Sequence, residues 1–417
     1  MVNSSQKKRA ILVLLPVLAG FGPILSVVDL AGVNIFAFRL MVMIGYGAIF
    51  LGVWRHPTLK KTIRPFLYFF FLWVLWATTA IFWTYNINEL VSGLLTLIFG
   101  ILSSIFVMLL VKRSDDIATI RLGWMVGAVI FCGFGLVEQF SDWHFPSSWY
   151  DQQSDHAKPF IIMSTFGNPN NFGAFLTLSI ALLFGIRKKI SIATWALFAL
   201  FFFLLFLTGN RIGMIGVVIV MFLRFSKSIT LMLSLTPLLA VLLLNLTMLA
   251  RYIDHPELTA LISLTESSSG SCSSVEIRLN MARVAIVGLS DTYMLGVGAG
   301  NFSQIVPRLG LEGFTCGITD PHNWFFEIAG EYGLIALVCY CCSLIAVVVL
   351  ARRPESLSQK LGVYPTILLV GFIFAAAGNS SFTSPPMNWV FYGLLIALSA
   401  SSHSRKKLTG MSIAWKS

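Results

Sequence analysis

Long apolar stretches, separated by short polar segments, run through nearly the whole chain. A bilayer core about 30 Å thick is crossed by ~20 helical residues, and inside it each backbone N–H and C=O must find a partner within the protein. Twelve stretches meet this description: 10–28, 33–54, 66–84, 90–111, 117–140, 167–186, 190–208, 212–223, 229–250, 327–350, 362–378 and 389–402. The eighth and twelfth are short. Composition excludes the alternatives. Of 417 residues 57% are hydrophobic and 11% charged, whereas a soluble domain carries roughly 25% charge. Mean hydropathy is +0.82. A soluble enzyme, a coiled coil and a disordered chain are ruled out. The expected fold is an all-α polytopic membrane protein of about 12 transmembrane helices, with residues 1–417 as a single membrane domain. Lys7, Lys8 and Arg9 precede the first stretch, which leads straight into further spans, so this start reads as a signal anchor.

The formal net charge is +11. On a soluble protein that would point to nucleic acid. Here it sorts by side of the membrane, because basic residues are retained in the cytoplasm. Twenty-one of the 29 Lys and Arg fall in segments on one side, from Lys7 to Arg9 at the start to Arg405 to Lys416 at the end. Both termini are therefore expected in the cytoplasm, and no nucleic-acid partner is needed. Arg39 and Arg121 lie inside spans, either as partners for a buried carboxylate or snorkelling. Six fall on the other side: Lys158, Arg211, Arg251, Arg278, Arg283 and Arg308. Two loops on that side are long, 141–166 and 251–326. The second, a large extracytoplasmic loop, carries a helical pattern near 275–289, in which Ile277, Met281, Val284 and Ala285 recur three or four apart.

Charges at or in a membrane are costly and default to functional candidates. Arg211 sits in the tight turn L-T-G-N-R-I-G, where a fork of donors suits a phosphate; interfacial snorkelling is the plainer reading. Arg278 and Arg283 are five apart on the loop helix, so they do not share a face. Either one, but not both, points into a given site. His322 lies in D-P-H-N-W-F-F-E-I-A-G-E-Y-G, where Asp320 and Pro321 read as the helix start. Glu327 and Glu331 follow on one stripe, deeper by one to two turns. A neutral imidazole at a helix mouth suits a general base. Phe166 to Asn171, F-G-N-P-N-N, opens the sixth span. Its Asn168 either helps line an anion site or caps the helix. G-V-G-A-G at 296–300 does not fit a dinucleotide fingerprint. Gly123 and Gly127 form a G-x-x-x-G that marks helix packing. No metal-ligand spacing is present.

H-N-W-F-F-E-I-A-G-E-Y-G, preceded by an Arg-bearing loop helix and G-V-G-A-G-N-F, resembles the O-antigen ligase and polymerase superfamily. T-F-G-N-P-N-N-F and G-N-R-I-G resemble it as well, so the likeness runs from about Phe166 to Gly333. The resemblance implies a glycosyltransferase type C-like fold in a bacterial inner membrane, with the active site facing the periplasm. It implies transfer of a glycan from undecaprenyl diphosphate to an acceptor hydroxyl, without metal, cofactor or nucleotide sugar. The partners implied are the lipid-linked donor, a lipid A-core or lipid-linked glycan acceptor, and the bilayer. It maps the catalytic base to His322 and the diphosphate site to Arg211 and Arg278, with Arg283 as the substitute if the helix is turned. Asn323, Glu327, Glu331 and Asn168 are the supporting residues. Ligation of O-antigen to lipid A-core is the first reading, and polymerisation of lipid-linked repeats the second. A polysaccharide transporter or flippase is the reading from outside the class; such proteins often carry repeats, and none is visible here.

Cys272 and Cys316 both fall in the large loop, and in an oxidising compartment they are expected to pair. The bridge would close a loop of about 45 residues, restricting the unfolded chain by ~2–4 kcal/mol. Reduction is therefore expected to retard the protein on a denaturing gel and lower its melting temperature more than its activity. Unchanged mobility counts against the bridge.

Overall fold

The computed structural model describes residues 4–30, 33–52, 61–141, 143–145, 162–185, 190–225, 274–308, 310, 315, 318–353, 356 and 364–400. The expected ninth span at 229–250, Cys272, Cys316 and the loop before 274 lie outside the described residues. Of the expected twelve spans, the other eleven each coincide with a helix: α1 (Ser4–Phe21), α2 (Ala37–Phe50), α3 (Arg64–Thr79), α4 (Ile87–Leu110), α5 (Ser114–Phe140), α6 (Pro169–Phe184), α7 (Ile192–Leu207), α8 (Arg211–Phe225), and, after the loop, α11 (Trp324–Ala351), α12 (Pro365–Gly378) and α13 (Pro386–Ala400). The loop contributes α9 (Ser274–Asp291) and the short α10 (Phe302–Arg308). Between α1 and α2 a hairpin pairs β1 (Ser26–Leu30) with β2 (Val33–Phe36), antiparallel, with a bulge between Ser26 and Val28, so the end of the expected first span and the start of the second are strand rather than helix.

Among the described residues, five helical stretches are long and apolar enough to cross a membrane, and five shorter helices are apolar. Their outward faces stay hydrophobic: Tyr68, Phe71, Leu72 and Leu75 on α3, and Leu334, Ile335, Val338 and Ile345 on α11, are all exposed. A helix that is apolar all round has lipid, not water, against its outer face. The chain is a multi-pass membrane protein. Its packing is most extensive between α1 and α5, α6 and α12, α4 and α13, and α8 and α12. At the first of these, a Cβ on Gly123 would meet the Val13 backbone, so the G-x-x-x-G is a packing face as its spacing predicts.

The loop helix follows its pattern. Ile277, Met281, Val284 and Ala285 turn inward and form a small core with Val297, Phe302, Ile305 and Val306. This core docks α9 on the upper part of α11.

The break in α11 organises that docking. Gly333 has φ 79° and ψ 177°, a conformation open essentially to glycine. The helical ladder is interrupted there, and three carbonyls lose their usual donors. G-V-G-A-G supplies replacements: Val297 N–H donates to Gly330 O at 2.8 Å and Gly298 N–H to Glu331 O at 2.9 Å. Trp76 Nε1 donates to Tyr332 O at 2.8 Å. The freed Leu334 N–H donates to Met294 O at 3.0 Å. Gly296, Gly298 and Gly300 all have positive φ, and a Cβ on Gly296 would collide with the Gly333 and Glu331 backbone. The segment's own carbonyls are held in turn by Trp83 Nε1 on Gly296 O, 2.7 Å, and Thr84 Oγ1 on Val297 O, 3.1 Å. The sequence pattern predicts one uninterrupted tenth span. Hydropathy is blind to the break, because Gly333 leaves the apolar run intact and the replacement donors come from distant segments.

Gly333→Ala is expected to cost about 1–3 kcal/mol from the backbone conformation alone, before the clash of its Cβ with Leu295. Gly133→Ala on α5, where a Cβ would meet nothing within 4 Å, is expected to leave stability unchanged or raise it. Melting temperatures of the detergent-purified variants check both; equal melting would mean that Gly333 is not under this constraint.

Candidate functional site

The loop end of the bundle gathers most of the polar residues singled out above. Asn168 caps α6, its side chain accepting from Asn170 N–H at 2.8 Å. Of the two readings open for it, the structure gives this carboxamide a capping bond. A longer-range contact comes three residues on. Asn171 Oδ1 accepts from Ser380 N–H at 3.1 Å and Ser380 Oγ at 2.7 Å. Ser380 O accepts the His322 N–H at 3.1 Å. A chain of bonds therefore ties the α6 start to the turn before α13 and to His322.

Arg211 opens α8, half-buried, directly after Asn210. Asn210 is fully buried. Its Oδ1 accepts from Gly213 N–H at 2.8 Å and its Nδ2 donates to Asn170 O at 3.0 Å. The G-N-R turn is thereby fastened to the same α6 start as Asn171.

His322 lies just outside α11. The helix begins at Trp324, and its cap is Asn323, whose Oδ1 accepts from Phe325 N–H at 2.8 Å. This corrects the expected start at Asp320 and Pro321. An Asn side chain satisfies a free N–H, which Pro cannot. Moreover, His322 has φ 49°, left-handed backbone that no helix residue adopts. Non-glycine residues in this region store strain and concentrate at functional sites. Burial, and secondarily the nearby Arg278 charge, push the His322 imidazole down to about 4. It is neutral through the neutral range.

Arg278 is half-buried on the face of α9 toward His322. Arg283, five residues on, is exposed and donates to Asn280 Oδ1 at 3.1 Å. The helix brings Arg278, not Arg283, to the histidine.

Glu327 is buried and saturated. Its carboxylate accepts from Ser381 Oγ at 2.9 Å, Thr383 N–H at 3.1 Å, Thr383 Oγ1 and Phe382 N–H. Glu331 takes backbone hydrogen bonds from Gly300 and Phe302 at the α10 start. The two carboxylates thus moor two loops to α11. Both line a chamber of about 300 Å³ together with Asn171, Ser380, Ser381 and Thr383. A second chamber of about 250 Å³ shares Thr96, Asn171, Ser384 and Pro385 with it. Below the α11 break, an apolar cleft of about 780 Å³ runs between α3 and α11, lined by Leu72, Trp73, Trp76, Ile335 and Cys339 among others.

Asn171 and residues 380–383 were not singled out from the sequence. The signal was N-S-S-F-T-S-P-P at 379–386, a run of hydroxyls between two apolar stretches on the same side as the histidine.

Fold and site together define a helical membrane protein with polar chambers at one end of its bundle, the larger of them lined by Asp320 and Pro321 immediately before His322. Residues 196–341 match the family model described as O-antigen ligase. The match takes in the G-N-R turn, α9 and the histidine motif, but begins after the G-N-P-N element. The chain is also 23% identical over 389 residues to the teichuronic acid biosynthesis protein TuaE of Bacillus subtilis (strain 168), covering 87% of this chain and 78% of that protein. The two findings support the O-antigen ligase and polymerase superfamily for this chain, and with it a glycosyltransferase-type role in polysaccharide biosynthesis.

All four Glu327 contacts are donors, which an acceptor-only carboxylate satisfies and an amide does not. Glu327→Gln turns an NH₂ onto them and is expected to cost about 1–3 kcal/mol. Glu327→Asp, too short to reach them all, should fall between Gln and wild type. Melting of the purified protein is the check; a Gln variant as stable as wild type would remove Glu327 from the mooring.

Proposed function

We propose that the protein transfers a glycan from an undecaprenyl diphosphate donor to an acceptor hydroxyl at the periplasmic face of the inner membrane, with ligation of O-antigen to lipid A-core as the first reading. The observation that carries it is His322, held in left-handed backbone beside the Arg278 charge and bonded to Ser380 at the wall of a polar chamber. In this reading residues 1–417 form one type C-like membrane domain of about 12 spans, with both termini cytoplasmic and the loop 251–326 periplasmic.

The residues act as follows. His322 takes the proton of the acceptor hydroxyl. The hydroxyl oxygen then attacks the anomeric carbon as the bond from that carbon to the diphosphate oxygen breaks. The electron pair leaves with the lipid diphosphate, and Arg211 and Arg278 offset its charge. No metal step is part of this scheme. Attack from the face opposite the leaving group inverts the anomeric carbon; a product of retained configuration by NMR would sink single displacement. The cleft lined by Trp73 and Trp76 suits the apolar tail of a polyprenyl donor. Asn323 and Asn168 support the scheme only by capping their helices.

The likeness over most of the chain to a teichuronic acid biosynthesis protein, whose name specifies no ligation to a lipid core, keeps polymerisation of lipid-linked repeats as the second reading. A deletion strain separates the two by lipopolysaccharide gel. Lipid-linked polymer with a bare core means ligase. Core with a single repeat means polymerase.

His322→Ala is expected to lower kcat by about 10²–10⁴ while lipid diphosphate still binds; a transporter would not split transfer from binding. Arg211→Ala and Arg278→Ala weaken donor use, Lys restores it partly, and Arg283→Ala is near wild type; the reverse order for Arg278 and Arg283 would move the role. Because the imidazole's proton affinity is lowered, the base form persists as pH falls. The acid limb of kcat/KM is expected near 4, not at the ordinary histidine value of about 6.5. Arg278→Ala removes a repelling positive charge, so the limb moves upward. A limb at the ordinary value in the wild type would count against His322 as the base.

A further inference from the structure

Arg39 has no part in the scheme above. It sits in the first turn of α2 and is 8% exposed. Its guanidinium lies 4.9 Å from the Phe36 ring centroid and 5.0 Å from that of Phe99. Nη1 donates to Asn34 O at 2.8 Å, and Nη2 reaches Thr96 Oγ1 at 3.5 Å. A guanidinium carries a full charge and five N–H donors. Among the described residues, neither ion pair involves Arg39. The rings and the carbonyl orient and desolvate the charge; they do not neutralise it. An intramembrane cation left in that state is a functional candidate.

What the cation faces is a built cavity. Arg39 lines the chamber of about 250 Å³ with Thr96, Thr165 and Asn171. That chamber adjoins the one below His322 through shared walls at Thr96, Asn171, Ser384 and Pro385. Of the carboxylates of the adjoining chamber, Glu327 is taken by Ser381, Phe382 and Thr383 and Glu331 by the α10 start, while Glu89 and Asp320 line that chamber and not the one of Arg39. Among the described residues no acidic side chain lines the Arg39 chamber itself, so a counter-charge there can come from a ligand.

We propose that the Arg39 chamber is a second oxyanion subsite, which takes a phosphate or carboxylate group of the acceptor. The word acceptor rests on the transfer reading; the anion site does not. Arg211 and Arg278 serve the leaving diphosphate, and a second anion on the far side of Asn171 would hold the incoming substrate by its charge. A planar fork between two rings favours a bidentate oxyanion over a neutral sugar. In a polymerase the anion would be a lipid phosphate; in either enzyme it could be a carboxylate on the glycan.

The test uses the full-length protein in detergent, with inorganic pyrophosphate and sodium glucuronate as probes. Calorimetric titration of the wild type with pyrophosphate is expected to resolve two classes of site. Arg39→Met should weaken one class about tenfold or more, and Arg39→Lys should keep it more nearly, by retaining charge without the fork. Arg278→Ala should weaken the other. Loss in Arg39→Met of pyrophosphate binding alone points to a phosphate ligand, and loss of glucuronate binding as well points to a carboxylate. Two undiminished classes in Arg39→Met overturn the proposal. If only Arg278→Ala is without effect, the diphosphate assignment fails and the Arg39 site stands. Because Arg39 also braces Asn34, the wild type is labelled with phenylglyoxal and read by peptide mass spectrometry. Protection of Arg39 by pyrophosphate, but not by sodium chloride of equal ionic strength, is expected. An Arg39 that is unreactive, or labelled equally with and without the anion, overturns the subsite.

Discussion

Hydrogen bonding at the interruption of α11 is the constraint on which the loop end of this protein depends. Inside a bilayer an unpaired carbonyl costs several kcal/mol, so a helix can break there only where other groups replace the lost donors. Gly330, Glu331 and Tyr332 obtain theirs from Val297, Gly298 and Trp76. That requirement brings G-V-G-A-G against the helix. It thereby sets where α9 docks, and with it where Arg278 stands relative to His322. The glycines of this segment serve a backbone-to-backbone contact rather than a phosphate cradle.

A second constraint is the burial of charge. Glu327 and Glu331 are buried deep in a helix otherwise made of apolar residues, and each is spent on backbone or hydroxyl donors from a loop. Glu138 behaves alike at the other long loop, where it accepts from Met163 and Ser164 N–H at 2.8 and 2.6 Å. Carboxylates in this protein hold loops to helices.

The helices were legible because about 20 apolar residues in succession have few other uses, and hydropathy located α2 to α8 and α11 to α13 to within about five residues, whereas α1 starts and ends well before the expected 10–28, its end set where the chain turns into a hairpin. The face of α9 was legible too, since a spacing of three or four leaves Ile277, Met281, Val284 and Ala285 together. The choice between Arg278 and Arg283 was not. Spacing excludes a shared face but does not say which face docks. Nor was the Ser380–Thr383 turn, because its role depends on donors meeting a carboxylate more than fifty residues earlier in the chain. The αL backbone of His322 was equally hidden: it is imposed by the Ser380 carbonyl and by the Asn323 cap that follows.

The interrupted helix bears on how the protein meets membranes of unequal thickness. A span longer or shorter than the local hydrocarbon layer adapts by tilting or by local change in the lipid. In an unbroken helix that tilt would be transmitted to its mouth. Here the segment beyond Gly333 presents exposed Leu334, Ile335, Val338 and Ile345, whereas Trp324 to Tyr332 is bonded sideways to the loop and to the turn before α13. The height of the histidine is thus referenced to neighbouring protein rather than to the length of its own span. Hydrophobic length in the lower half is free to vary between bilayers without moving His322 out of register with the loop packed beside it.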